Sequence, residues 1–294
     1  MQLNKILWAS DGSKESRGAL RWAEMFAGRF GAKVMAISVI ESPDISRLEV
    51  SDKLKKELSL IDRELVTKET ERLRRVAAIL KQKGIAAETR VAKGVPYQEI
   101  IKAAQSQGAD LIAMGKRGLN LWARMLLGST TTRVLREVRL PVLTVQQWRK
   151  KPAVKKIVVP SGFAPADNVS LEWALELAGT LGASVYLLHI IEAHKSWDTA
   201  KGGFMGRRRK LDTEKLDAML ARVPTQKRKD VPAFTRVKAF PRPWSGIVSF
   251  IRDEGIDLIV MGTHARKGVP RFFLGSVAER VIREAPCPVI TVRP

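Results

Sequence analysis

Three glycines and a serine in the N-terminal half have the types and spacing that suit phosphate binding. Gly115 follows an apolar run, Gly118 comes three residues later, and Gly128 and Ser129 precede an amphipathic stretch. Glycines let backbone N–H groups approach phosphate oxygens, because no Cβ stands in the way. A helix that begins at Ser129 would add unpaired N–H groups, and the Ser129 and Thr130 hydroxyls would add donors. These residues predict a phosphate-binding loop.

A carboxylate, Asp11, directly follows the first apolar run, within Ser10-Asp11-Gly12-Ser13. In an open parallel sheet, ligands bind beyond the carboxyl ends of the strands, where the strand order reverses. Asp11 and the glycine-rich segment would then lie at one edge of a sheet. A structural interpretation stays open, because glycines after a strand often only turn the chain and Asp11-Gly12-Ser13 can cap a helix.

Other reactive residue types lack a comparable setting. His189 lies within an apolar strand, where we expect a core or edge residue, and His194 and His264 lack the short paired spacing of metal ligands. No serine has an evident His and Asp partner, and no carboxylate pair occurs at a plausible site. The sequence therefore predicts neither a catalytic residue nor a metal site built by the protein.

The chain is a tandem duplication. Lys5-Ile-Leu-Trp-Ala-Ser recurs 151 residues later as Lys156-Ile-Val-Val-Pro-Ser, and Asp110-Leu-Ile-Ala-Met-Gly recurs 147 residues later as Asp257-Leu-Ile-Val-Met-Gly. We predict two domains, which comprise residues 1–147 and 153–294.

Each copy alternates short β-branched runs with amphipathic stretches, the pattern of a parallel sheet with crossover helices. Near-continuous apolar strands indicate that both faces of the sheet are covered. We predict an α/β fold in which each domain is a five-stranded, Rossmann-like parallel sheet with helices on both faces. The strands of copy one are expected near Lys5–Ser10, Lys33–Ile40, Ala86–Val91, Leu111–Met114 and Val142–Val145.

These features together resemble the universal stress protein family. The resemblance rests on Asp11, on the spacing Gly-x2-Gly-x9-Gly-Ser from Gly115 to Ser129, and on the closing Leu140-Pro-Val-Leu-Thr-Val. It covers each half of the chain once, as in tandem members of the family. It implies the fold of the adenine-nucleotide alpha-hydrolases, with the last strands of the two domains paired, and it leaves room for a homodimer of whole chains.

The resemblance also implies a ligand, ATP or possibly its relatives ADP or AMP, with Mg²⁺ only as a companion of the nucleotide. In the nucleotide-binding branch of the family, the first-strand Asp and a backbone group after strand two hold the nucleoside, and the glycine-rich loop holds the phosphates. By position, the residues implied in copy one are Asp11, Val39, Gly115, Gly118, Gly128, Ser129 and Thr130.

Copy two departs from this pattern at two positions. Gly162 stands in place of Asp11, and Ala265 replaces the second glycine of the loop. Loss of the carboxylate removes a polar contact to the nucleoside. The remnants of a weaker second site are Gly262, Gly275 and Ser276.

Composition limits the class of protein. The single Cys287 cannot form an internal disulfide, and neither a signal-peptide core nor an 18-residue apolar span occurs, so we expect a cytoplasmic protein. The formal charge of +22 divides evenly, +10 and +12, between the halves.

One local basic run, Arg207, Arg208, Arg209 and Lys210, follows several glycines and is expected to lie in a loop. Such a loop could contact nucleic acid or an anionic membrane through phosphates, but no base-reading motif accompanies it. The leading hypothesis is a stress-response regulatory or protective protein that binds adenine nucleotide mainly in its N-terminal domain. The alternative is a nucleotide-free interaction module that docks through its basic surface.

Overall fold

A computed structural model describes seven segments of the chain. They are residues 3–41, 51–116, 127–146, 151–193, 204–228, 230–263 and 274–293. Gly118, Arg117, His194, His264 and Ala265 lie outside these segments. The described residues form two compact units, residues 3–134 and residues 135–146 with 151–293.

Strands and helices alternate along both copies. The strands are β1 Lys5–Ala9, β2 Lys33–Ile40, β3 Ala87–Lys93, β4 Leu111–Gly115, β5 Val142–Val145, β6 Lys156–Pro160, β7 Ser184–Glu192, β8 Ala233–Phe240, β9 Leu258–Gly262 and β10 Val289–Val292. The helices are α1 Lys14–Phe30, α2 Asp52–Gln82, α3 Pro96–Ser106, α4 Ser129–Glu137, α5 Pro165–Leu181, α6 Phe204–Arg222, α7 Thr225–Arg228, α8 Pro243–Glu254 and α9 Ser276–Glu284.

In the first unit, the strands lie in the order β3-β2-β1-β4. All three neighbouring pairs are parallel. β1 therefore lies between β2 and β4, and the strand order reverses there, which confirms the predicted α/β architecture. The middle of this sheet is inaccessible to solvent. Its apolar side chains are fully buried, as at Ile6, Leu7, Val34 and Ile112.

In the second unit, β10-β9-β6-β7-β8 form a five-stranded parallel sheet. The short β5 adds to this sheet as an antiparallel neighbour of β10, with Leu143 opposite Ile290. The predicted pairing of the two closing strands is thus confirmed. It gives β10 a partner on each side, so neither side of this apolar strand is a free edge.

A carboxylate holds the first strand of each copy at its amino end. Asp110 Oδ2 accepts hydrogen bonds from the N–H groups of Asn4 and Lys5 at 2.7 and 2.9 Å. In copy two, Asp257 Oδ2 accepts from Lys155 and Lys156 at 2.8 and 3.0 Å. The repeated aspartate therefore has a structural role. It lies at the amino ends of the strands, opposite to the edge where a ligand is predicted.

We expect Asp257→Ala to lower the free energy of unfolding by about 1–3 kcal/mol, because two backbone N–H groups lose a charged acceptor. Urea denaturation monitored by circular dichroism measures this change. The control is Asp217→Ala, an exposed carboxylate on α6, for which a change within about 0.5 kcal/mol is expected. Equal effects of the two substitutions would contradict the role given to Asp257.

Candidate functional site

The predicted ligand residues of copy one that the structure describes lie along the carboxyl edge of the first sheet. The register places Ala9 beside Ile37 of β2 and beside Met114 of β4. Asp11 follows β1, Val39 lies near the end of β2, and Gly115 ends β4. Parallel pairing therefore brings these three residues to one edge, at the point where the strand order reverses.

Asp11 is exposed at this edge and also shapes the turn into α1. Its Oδ1 accepts a hydrogen bond from the Ser13 N–H at 3.0 Å. Ser13 in turn is the N-cap of α1, since its Oγ accepts from the Ser16 N–H at 3.0 Å. The capping interpretation of Asp11-Gly12-Ser13 is therefore correct, but Oδ2 of Asp11 takes no part in it. The turn into α1 therefore uses only one of the two carboxylate oxygens of Asp11.

The two ends of the glycine-rich loop are joined by hydrogen bonds. The Gly128 N–H donates to the Lys116 carbonyl at 3.1 Å, and Thr131 Oγ1 donates to the Gly115 carbonyl at 2.9 Å. α4 begins at Ser129, as predicted, with Ser129 exposed and Thr130 half-buried. These bonds hold the start of α4 beside the end of β4.

A polar network that the sequence analysis did not identify ties α2 to this edge. The Arg72 guanidinium donates to Ser10 Oγ at 2.9 Å and to both oxygens of Glu69. Ser38 Oγ donates to Glu69 Oε2 at 2.7 Å. Burial raises the pKa of Glu69, but the hydrogen bonds from Arg72 and Ser38 outweigh it, so the pKa lies below its usual value. The network links the ends of β1 and β2, which carry Asp11 and Val39.

Copy two contains the counterpart of this network. His189 replaces Ser38, and its Nδ1 lies 2.8 Å from the Ser161 carbonyl, so Nδ1 carries the proton. Its Nε2 lies 3.7 Å from Oδ2 of the fully buried Asp212. Arg208 Nε and Lys215 Nζ contact the same carboxylate at 2.7 and 3.2 Å. His189 is thus a mostly buried residue of β7 whose ring links the end of β6 to α6.

The sequence contains a repeat that indicates both networks, but it occurs at a different offset from the 151 and 147 residues that relate the other motifs. Glu69-Thr-Glu-Arg-Leu73 recurs as Asp212-Thr-Glu-Lys-Leu216, at an offset of 143 residues. Leu73 and Leu216 are both fully buried. The helix of the second copy is therefore shorter, with 19 residues in α6 against 31 in α2, and the connection after it is longer.

Within the second unit, a cavity of about 470 Å³ opens at the carboxyl edge of the sheet. Residues at the ends of β6, β7 and β9 and at the start of α9 surround it. All three residues proposed for a weaker second site lie in its wall, namely Gly262, Gly275 and Ser276. The structure brings these residues together even though copy two lacks the carboxylate of Asp11.

Steric contacts account for two of the glycines in this wall. A Cβ on Gly262 would lie 2.9 Å from the Cβ of Ala166 in α5, and a Cβ on Gly275 would lie 3.2 Å from the Thr263 carbonyl oxygen. The Gly275 N–H donates to that same oxygen at 3.0 Å, like Gly128 in copy one. Packing therefore explains these glycines without a ligand.

The loop after β6 differs from its counterpart in copy one. Phe163 has φ of 63°, at the position where Gly12 has φ of 77°. A side chain in this left-handed region costs conformational energy. The loop is held by Asp167, whose Oδ2 accepts from the N–H groups of Gly162 and Ala164 at 2.8 and 2.9 Å. Burial raises the pKa of Asp167 in spite of these bonds.

The basic run near Arg207 is helical, so the predicted loop is wrong. α6 begins at Phe204 and includes all four residues. Arg208 forms an ion pair with Asp212, four residues later, because residues at this spacing are neighbours on one face of a helix. Arg207, Arg209 and Lys210 are exposed.

Two further kinds of feature, a metal-ligand cluster and a membrane-spanning helix, are absent from the described ranges. Among these residues, no group of three or more His, Cys, Asp and Glu side chains could hold a metal ion. None of the helices there combines the length and apolar composition that a bilayer span requires.

Comparison with known proteins agrees with this architecture. A sequence profile described as the universal stress protein family matches residues 2–146 and again residues 153–293. The chain therefore belongs to the universal stress protein family, with two such domains in tandem.

Individual relatives cover either the whole chain or one half. A universal stress protein of Mycolicibacterium smegmatis is 28% identical over 98% of this chain and 97% of its own length. One from Methanocaldococcus jannaschii is 33% identical over 50% of this chain and 84% of its own length. The crystal structure of a universal stress protein from Archaeoglobus fulgidus matches with a TM-score of 0.70 and 23% identity, over 100% of this chain and 99% of that chain. This structure supports the two-domain fold.

We expect the Asp212 cluster to make a pH-dependent contribution to stability. Burial raises the pKa of Asp212, but hydrogen bonds from Arg208 and Lys215, together with the Arg208 and His189 charges, hold it below its usual value. We expect Asp212→Asn to lower the free energy of unfolding at pH 7 by about 1–3 kcal/mol. Because the folded-state pKa is the lower one, this difference is present above the usual carboxyl range and shrinks as the pH falls below about 4.

Urea unfolding of both proteins over a series of pH values measures this effect. The control is Glu214→Gln, an exposed carboxyl on the same helix, for which a small and nearly constant difference is expected. A difference for Asp212→Asn that stays constant from neutral pH to about pH 3 would exclude the ionised pair as its cause.

Proposed function

We propose that this protein is a stress-response regulatory or protective protein whose N-terminal domain binds ATP or a related adenine nucleotide. The observation that carries the proposal is the exposed Asp11 beyond the middle strand β1, at the edge where Val39 and Gly115 also lie. An edge at which the strand order reverses is the usual ligand site of open α/β sheets.

Each part of this edge has a chemical role in the proposal. The Asp11 carboxylate accepts hydrogen bonds from ribose hydroxyls, and the backbone near Val39 faces the base. The α4 N-terminus at Ser129, with Gly128 before it and the Thr130 hydroxyl beside it, donates to the phosphates. The Arg72 and Glu69 pair holds α2 against Ser10 and keeps the edge in place.

Copy two offers less to a nucleotide, which is why we assign binding mainly to the first domain. The position of Asp11 is Gly162, and the counterpart of Thr130 in the first turn of α9 is Val277. A carboxylate and a hydroxyl donor are thus absent from these two positions. Mg²⁺ enters this proposal only as a companion of the nucleotide.

The alternative function, docking through a basic surface, has weaker support. Arg208 is engaged by the buried Asp212, which leaves Arg207, Arg209 and Lys210 as exposed charges on α6. Exposed lysines and arginines are ordinary on a protein surface. Binding to nucleic acid or membrane, formation of a homodimer and a cytoplasmic location remain predictions from the sequence.

We expect Asp11→Asn to weaken ATP binding about ten-fold, as for loss of a charged hydrogen-bond acceptor. Asparagine keeps an oxygen for the Ser13 N–H, so the turn into α1 is preserved. Calorimetric titration of ATP into nucleotide-stripped full-length protein measures the affinity, and the circular dichroism spectrum checks the fold. The absence of saturable ATP binding by the native protein would refute the proposed function.

A matched pair of serines tests which domain binds. Ser129 and Ser276 are each the exposed first residue of the helix after the loop. We expect Ser129→Ala to weaken ATP binding about five-fold, through loss of a phosphate donor, and Ser276→Ala to leave it within about two-fold. The opposite order of effects in the same titration would place the nucleotide in the second domain.

A further inference from the structure

The cavity of the second domain is less polar than the equivalent edge of the first. Gly162, Ala164, Thr263, Val277 and Ala278 all lie in its wall. Their counterparts in copy one, at the offsets of 151 and 147 residues, are Asp11, Ser13, Lys116, Thr130 and Thr131. Each replacement removes a charge or a hydroxyl group. Asp11 and Thr130 are accessible at the edge of copy one, at its nucleoside end and its phosphate end, whereas Ser13, Lys116 and Thr131 are buried there.

At three other wall positions the side chain of copy two is the more polar one, but each of these side chains already has a protein partner. His189 contacts the Ser161 carbonyl and Asp212. Arg208 donates to Asp212 at 2.7 Å. Asp167 accepts from Ser161 Oγ and from the backbone of the loop after β6. These groups build the wall, because their hydrogen bonds fix neighbouring elements to one another.

Apolar side chains form much of the remaining wall. Leu188 and Ile190 come from β7, Ile247 from α8 and Met261 from β9. All four are at least nine-tenths buried. A volume of about 470 Å³ falls within the range of pockets that enclose a small organic molecule.

We propose that this cavity binds a largely apolar, uncharged small molecule and not the phosphates of a nucleotide. Transfer of such a molecule from water to an apolar wall is favourable. A polyphosphate would lose its hydration and find as its main donors in the described wall Ser276, the start of α9 and Arg208, which is already paired with Asp212. The tandem chain then carries two sites of different chemistry, a polar one in the first domain and an apolar one in the second. This assignment is independent of whether the first domain binds ATP.

The test uses phenylnaphthylamine, an uncharged aromatic dye that fluoresces in apolar surroundings, titrated into the full-length protein. We expect saturable binding with one site per chain. Val277→Trp should abolish it, because the indole fills the space beside the start of α9. Val277→Thr, which has nearly the same shape as the native residue, should weaken binding about five-fold, because a hydroxyl must then lose water.

The matched control is Thr130→Val at the equivalent position of the first domain, which should leave dye binding within about two-fold. Gly162→Asp supplies a second variant that is compatible with the fold, since a Cβ there meets open space, and it too should weaken dye binding.

Saturating ATP should not displace the dye from either the native protein or Asp11→Asn. The proposal is overturned if the native protein shows no saturable dye binding, or if Val277→Trp binds the dye like the native protein. Displacement of the dye by ATP in Asp11→Asn would overturn it as well.

Discussion

Each copy of the duplication depends on the central strand at which the strand order reverses, β1 in the first copy and β6 in the second. Because the chain adds β2 on one side of β1 and β4 on the other, the following loops diverge at the carboxyl edge and leave room between them. Asp110 and Asp257 secure the opposite edge by accepting N–H bonds at the start of these central strands. Both candidate sites are consequences of this arrangement.

Duplication preserved the framework and changed the chemistry of the edge. The helix that follows the second strand, α2 in copy one and α6 in copy two, contacts that strand through an acid paired with a base three residues later. The pairs are Glu69 with Arg72 and Asp212 with Lys215. In copy one the cluster involves small hydroxyls, Ser10 and Ser38. In copy two it includes His189, against whose ring the Phe163 ring packs at a centroid distance of 4.4 Å. The two edges therefore differ in chemistry while the same helix contact is retained.

Sequence patterns predicted most elements because a parallel sheet with two covered faces leaves a clear signal. Apolar strand runs and the repeated motifs placed β1, β2, β4 and the start of α4 close to their observed bounds. The start of α6 was mispredicted, because Gly202, Gly203 and Gly206 suggested a break, whereas the contacts of Arg208 with Asp212 stabilise a helix there. Local propensity is a weak guide where tertiary contacts act on the same residues.

The amino-acid sequence by itself determined the duplication, the alternation of strands and helices, and the residue types available at each strand end. These follow from hydrophobic periodicity and residue identity, which are local properties. Only the tertiary structure decided which polar groups are already used by the protein. Ser10 and Ser38 are ordinary hydroxyl residues in the sequence, but in the fold they are engaged by Arg72 and by Glu69. The physical reason is that a hydrogen bond between residues far apart in the chain depends on their separation in space, which the packing of α2 against the sheet sets.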